Sequence, residues 1–271
     1  MERAVLQELV LWKNNEDRKP LILNGARQVG KTASILQFAH SNYKNVVAIN
    51  FVLQPKYKAI FEEGYEVDDI IRNLTLIDPS LKLEPTNTPI FFDEMQDCPA
   101  CATSLKAFKI DGRYDVICSG SLMGINYQEI ESNSVGYKED YTMHSMDFEE
   151  FLWAKGYDSS FINSLYDKMT TVTPLTRIEM DILEKIFREY MTIGGMPAVV
   201  NQFVSNNNFS GTLKMQQQLL LDYEEDITKY AHGLDKGRIK NVYDHITVFL
   251  GQDNKKFQIS KIARGARNRE Y

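Results

Sequence analysis

The chain has 271 residues, 43% of them hydrophobic and 25% charged, with a net charge of −6. That balance excludes a disordered chain, and no apolar run is long enough for a membrane span. Three cysteines (Cys98, Cys101 and Cys118) exclude a disulfide framework, the first residues lack the regions of a secretory leader, and a reducing, cytoplasmic compartment is expected.

Taken in order, residues 5–12 carry apolar positions at helical spacing, and residues 20–23 form a short apolar run suited to a buried strand. A loop over residues 25–32 precedes a helix over 33–40. A second strand is expected over 45–52, a helix over 67–76 and a third buried strand over 89–93. A helix over 104–110 leads to a fourth strand over 114–118, which runs into Ser119-Gly120-Ser121, and a fifth strand is expected over 141–146. Strands alternating with helices call for a parallel sheet with helices on both faces, whose ligands bind beyond the carboxyl ends of the strands.

The pattern changes near Met146. Asp147 and Glu150 make a capping-box pattern with Met146 and Phe151 placed as its hydrophobic staple, and helices follow over 148–155, 159–169 and 175–190. The last is expected to start at Thr173-Pro174. Residues 194–197 (Gly-Gly-Met-Pro) read as a turn, with helices resuming over 215–230 and 242–249. The expected division is a core over 1–145, a smaller, mostly helical domain over 146–235 and a further region over 236–271.

The chemistry concentrates at three strand ends. Gly25, Ala26, Arg27, Gln28, Val29, Gly30, Lys31 and Thr32 satisfy the phosphate-loop pattern in full, and Ala33 continues it into the helix. The glycines let the backbone curl around an anion with its N–H groups inward, and the helix start adds its positive dipole end. Lys31 supplies a point charge for the β- and γ-phosphates, and the Thr32 hydroxyl suits Mg²⁺. Asp93 ends the third strand, expected beside the loop's own strand, where it could hold Mg²⁺. Glu94 could take the proton of a water attacking the γ-phosphate, and Ser119 could reach the γ-phosphate or that water. A strand-end acid is also an ordinary helix cap, and serine before glycine is ordinary turn chemistry.

Other groupings are weaker. Cys98 and Cys101 have the spacing of half a zinc site, but four ligands are needed and the histidines are scattered, so a structural pair is the better reading. The acidic run Asp222, Glu224, Glu225 and Asp226 reads as a solvated helix face. From Asp235 to Tyr271 there are nine basic residues against four acidic ones, and Lys261, Arg264 and Arg267 share a helix face. Such a face could touch nucleic acid or an acidic protein, or donate an arginine to a neighbour's nucleotide.

Residues 18–32 resemble the opening of the prokaryotic AAA-type ATP-binding proteins whose core precedes a C-terminal domain of unknown function. Residues 91–96 (Phe-Phe-Asp-Glu-Met-Gln), 118–124, 146–152, 194–197 and 255–269 are similar to that group's other markers. The resemblance implies an ASCE-type P-loop sheet, with Lys31, Thr32, Asp93, Glu94 and Ser119 in the roles above, and a basic tail that opens a winged-helix-like unit truncated at Tyr271. Residues 134–138 (Ser-Val-Gly-Tyr-Lys) depart from the group's Pro-Val-Gly-Lys-Val stretch. The expected activity is a Mg²⁺-dependent ATPase acting as a switch or motor, with no arginine finger assignable from Arg27 or Arg113 and an oligomer possible. The alternative is a regulatory nucleotide-binding module, associated with nucleic acid or toxin control, that hydrolyses little. A phosphotransferase would need an acceptor pocket that no segment plainly makes. The absence of a guanine-reading segment favours ATP over GTP.

Overall fold

Segments buried on both faces become the inner strands of one sheet, β1 (Leu21–Gly25), β3 (Ile90–Asp93) and β4 (Val116–Ser121), and the partly buried β2 (Val47–Asn50) and β5 (Glu139–Met143) form its edges. The computed structural model describes residues 1–121, 134–230 and 235–253. Strand order is β2-β3-β4-β1-β5, and every pairing is parallel. The α/β parallel sheet expected from the alternating pattern is therefore the architecture of the chain.

Alternate strand residues serve opposite faces, as the pleat requires. Leu21, Leu23, Phe91 and Ile117 pack with Val5, Leu9 and Trp12 of α1 (Val5–Asn14) and with Ile35 and Phe38 of α2 (Lys31–Asn42). Ile22, Ile90, Phe92, Val116 and Cys118 face the other way, toward Ile70 and Leu74 of α3 (Val67–Ile77) and Leu105 and Phe108 of α4 (Pro99–Asp111). A 3₁₀ turn, Pro55–Phe61, adds Tyr57, Ile60 and Phe61 to this second layer.

One expectation about the sheet needs correcting. β3 does not lie beside β1, because β4 pairs with both and separates them. Register sets Ser119 opposite Leu23 and Cys118 opposite Phe92, so the serine stands between the phosphate-loop strand and Asp93. β4 also extends to Ser121, opposite Gly25, past the expected end at Cys118. Interstrand hydrogen bonds carry the strand past the point where its apolar run ends.

Beyond β5 come α5 (Phe148–Ala154), α6 (Ser159–Thr170), α7 (Arg177–Ile193) and α8 (Pro197–Asn206). The capping box of Asp147 and Glu150 is present at the start of α5. α7 starts later than Thr173-Pro174, because Thr176 and Glu179 cap it reciprocally, while the Thr173 N–H closes the preceding turn on the Lys168 carbonyl at 2.8 Å. α8 was not expected; Pro197 at its first position was the overlooked signal.

The chain divides into two compact units, Met1–Ser210 and Gly211–Tyr271. Helices α5 to α8 belong to the unit that holds the sheet. The second unit contains α9 (Thr212–Tyr230) and α10 (Asp235–Leu250), which bury Leu219, Ile227 and Phe249. Glu224 of the acidic run pairs with Lys240 at 3.3 Å, and Asp226 is buried, so that run is not a wholly solvated face. The basic residues from Lys255 to Arg269 lie outside the described residues. Among the described residues no helix is long and apolar enough to cross a membrane.

Candidate functional site

β1 ends on a glycine because nothing larger fits. A Cβ on Gly25 would lie 2.3 Å from the Met143 carbonyl oxygen of the neighbouring strand. The chain then turns through Gln28 (φ 62°) and Gly30 (φ 98°), both in the left-handed region, and α2 starts at Lys31 with Gly30 as its cap residue. The first N–H groups of a helix lack intrahelical acceptors, so this turn presents donors at the carboxyl edge of the sheet. Val29 is buried beneath the loop, whereas Ala26, Gln28, Thr32 and Ala33 are exposed.

Lys31 arches back over the loop, donating to the carbonyls of Gly25 at 3.0 Å and Ala26 at 2.8 Å. Burial lowers the pKa of its ammonium, an effect that the charges of Glu94 and Asp93 oppose.

Asp93 gathers its neighbours. The Thr32 hydroxyl donates to its two oxygens at 3.1 and 3.2 Å, and the Ser119 hydroxyl donates to Oδ1. Asn50, at the end of β2, donates through Nδ2 to Oδ2 at 2.9 Å. Asp93 is only 6% exposed, and a buried carboxylate requires such donors. The structure therefore brings together Lys31, Thr32, Asp93 and Ser119 from three strand ends, and it adds Asn50. The Asn50 side-chain oxygen, Oδ1, accepts from the N–H groups of Val52 and Leu53, which looks in sequence like ordinary turn chemistry.

Glu94 adopts a left-handed backbone conformation (φ 57°) at the end of β3. The Gln96 side-chain amide donates to its carboxylate, and the Gln96 oxygen accepts from the Ser121 N–H at 3.3 Å. Ser121 thus meets Gln96 rather than Asp93. Gln96 was another functional candidate missed in the sequence, although it sits two residues after Glu94.

Behind the loop lies a further residue that sequence reasoning missed. Arg3 is buried and donates to the Val29 carbonyl at 2.6 Å. No periodic signal marks it, because its partners are distant in the chain.

The remaining candidates lie elsewhere. Arg113 precedes β4, at the opposite edge of the sheet from these strand ends, and pairs with Asp68 and Asp111. Cys98 and Cys101 are buried around the start of α4, with the Cys101 sulfur 3.9 Å from that of Cys118. Burial raises the Cys98 thiol pKa to about 11, which leaves a small apolar side chain rather than a reactive one. Among the described residues no group of three or more His, Cys, Asp or Glu side chains is placed to hold a metal ion.

A family model described as an AAA domain matches residues 17–152, and a second, described as a domain of unknown function (DUF8612), matches residues 184–271. A Haemophilus influenzae protein described only as uncharacterized is 22% identical over 195 residues, which are 72% of this chain and 43% of that protein. The chain thus spans less than half the length of that relative. Among solved structures, AMPPCP-bound DnaA from Aquifex aeolicus is similar with a TM-score of 0.43 and 10% identity, over 96% of this chain and 80% of that one. Drosophila ORC bound to DNA gives 0.42 and 11%, over 95% and 75%. C. elegans PCH-2 gives 0.39 and 11%, over 74% and 59%. The family match takes in half of the chain, including the loop, Asp93, Glu94 and Ser119, and the chain therefore belongs to the AAA domain family, with its ATPase-like, nucleotide-binding fold.

Proposed function

We propose that this chain binds ATP together with Mg²⁺ and hydrolyses it, acting as a switch or motor. The observation that carries the reading is the convergence of the Thr32 hydroxyl, the Asp93 carboxylate and the Ser119 hydroxyl beside the loop that holds Lys31.

The donor set fits a hard cation, because Thr32 Oγ1 and the Asp93 carboxylate are oxygen ligands already within 3.2 Å of one another. Those two residues would hold Mg²⁺, which when bound neutralises phosphate charge. The backbone N–H groups of residues 26–33 cradle the triphosphate, and Lys31 exchanges its two carbonyl contacts for β- and γ-phosphate oxygens. Anionic phosphates favour the charged ammonium that burial disfavours, so binding tightens the proton on Lys31. Water attacks the γ-phosphorus, Glu94 takes its proton, and ADP leaves with the bridging oxygen. Ser119 stands where a change at the γ-phosphate is felt by Asp93 and by β4.

One observation favours a second reading. Glu94 is held by Gln96, which is in turn tied to β4, and a base so engaged suits a nucleotide-dependent binding module with little turnover. The experiment is phosphate release by the wild type and by Glu94→Gln, with ATP affinity measured for both. The ATPase reading expects equal affinity and release at least about 100-fold slower in the variant. Equal affinity with equal, negligible release leaves the binding module. No magnesium-dependent ATP binding in either protein overturns both readings.

The partner belongs to the same proposal. The excess of basic residues between Lys255 and Arg269 suits a phosphate backbone, and affinity for nucleic acid should then fall steeply with salt. Binding unchanged after neutralising Lys261, Arg264 and Arg267 would remove nucleic acid from the reading.

A further inference from the structure

Arg3 uses its guanidinium to join three segments far apart in the chain. Nη1 donates to the Val29 carbonyl at 2.6 Å, Nη2 to the His144 carbonyl at 2.8 Å, and Nε to Glu150 Oε1 at 2.9 Å. Glu150 is the capping-box residue of α5, and its carboxylate also accepts from the Ala4 N–H at 2.7 Å and the Asp147 N–H at 3.2 Å. Both side chains of the ion pair are nearly inaccessible, at 7% and 6%.

A buried ion pair is costly to desolvate and contributes little net stability compared with apolar residues of the same size. What this pair does contribute is geometry. The Val29 carbonyl belongs to the loop, and the peptide joining Val29 to Gly30 is planar and trans. Fixing the carbonyl on Arg3 therefore fixes the Gly30 N–H in the opposite direction. Gly30 itself lies close by, since a Cβ there would stand 3.3 Å from Arg3 Nη1.

We propose that Arg3 is a positioning residue for triphosphate binding. It holds the Val29–Gly30 peptide so that the Gly30 N–H faces the phosphates, and Glu150 holds Arg3, which links the loop to α5. The inference rests on the reading of residues 25–32 as a phosphate cradle. Only a guanidinium can serve all three acceptors, because its donors are spread in a rigid plane, whereas an ammonium is a single point. An unpinned peptide can rotate, and the loop then loses one aligned donor on binding.

The test measures ATP affinity in the presence of magnesium on the full chain, at a temperature where circular dichroism shows each variant folded. Lys31→Ala reports on the phosphate cradle itself and is expected to lose binding. The double variant Arg3→Met with Glu150→Leu removes both charges, so neither is left buried without its counter-charge; its Kd is expected to rise about 10-fold, the loss of one aligned hydrogen bond. Arg3→Lys keeps the charge opposite Glu150 and is expected to fall between, about 3-fold weaker, and it carries the test if the double variant does not fold. A merely structural arginine would lower the melting temperature in both and leave the Kd of the folded protein at the wild-type value. That result, alongside loss of binding in Lys31→Ala, overturns the role of Arg3 alone. Wild type and Lys31→Ala that both fail to bind overturn the cradle and this inference together.

Discussion

Every residue of β1, β3 and β4 is buried, whereas α6 buries only Ile162, and α7 only Ile186 and Ile193. Met169, Ile178 and Met191 on those two helices remain 68–75% exposed. The difference is one of layers. A strand covered on both faces has no polar side to show, so polar chemistry is pushed to the strand ends, where Gly25, Asp93 and Ser121 stand. A helix at the margin shows most of its circumference to its surroundings. Stability and chemistry are therefore spatially separate in the sheet region, and the helical stretch carries apolar surface that its own unit does not cover.

The comparison breaks most sharply at Phe92. This ring stacks on Phe51 at 5.6 Å and meets Phe61 and Phe108, all within the core beyond one face of the sheet. Phe92→Ala is expected to cost about 3–5 kcal/mol in a denaturant melt, against about 0.5 kcal/mol or less for Met169→Ala. Similar losses for the two would mean that the exposed helix is structurally engaged. Next in size is Lys31→Ala, for which ATP affinity should drop about 100-fold while the melting temperature stays within about 2 °C of wild type. A large fall in stability would contradict the separation of chemistry from core.

Thr176→Ala sharpens the other side of the comparison. The helix α7 has little buried surface to hold its end, so loss of its capping box should cost about 1 kcal/mol, seen as faster amide exchange in its first turn. The smallest effect is with pH. The Lys168 ammonium and the Thr176 N–H hold the Glu179 carboxyl at about 2, below its ordinary 4.5. A depressed carboxylate stabilises the fold above its unfolded pKa, and that contribution fades as pH falls from 4.5 toward 2. The stability difference between wild type and Glu179→Gln should shrink over that window. A difference that stays level to pH 2 would deny the carboxylate its role.

Much of the site could be read from residues close in the chain. The spacing from Gly25 to Thr32, the acid at the end of Ile90-Phe91-Phe92 and the box of Asp147 with Glu150 are each set within a few residues, and each stands as read in the elements of the structure. Asn50 and Asp93 are 43 residues apart, and Arg3 and Glu150 are 147 apart. Neither pair leaves a periodic trace. Gln96 was near at hand, yet its hold on Glu94 depends on a turn geometry that composition does not reveal.

The sequence by itself determined the turn pattern from Gly25 to Thr32 and the alternation of buried strands with helices, because hydrophobic period and turn stereochemistry act over a few residues. It did not determine that β4 enters between β1 and β3, which sets Ser119 against Asp93. Nor did it show that the chain's third residue braces the loop from behind. Those arrangements arise from pairing and packing among distant segments, and their energies are decided only when the whole unit is assembled.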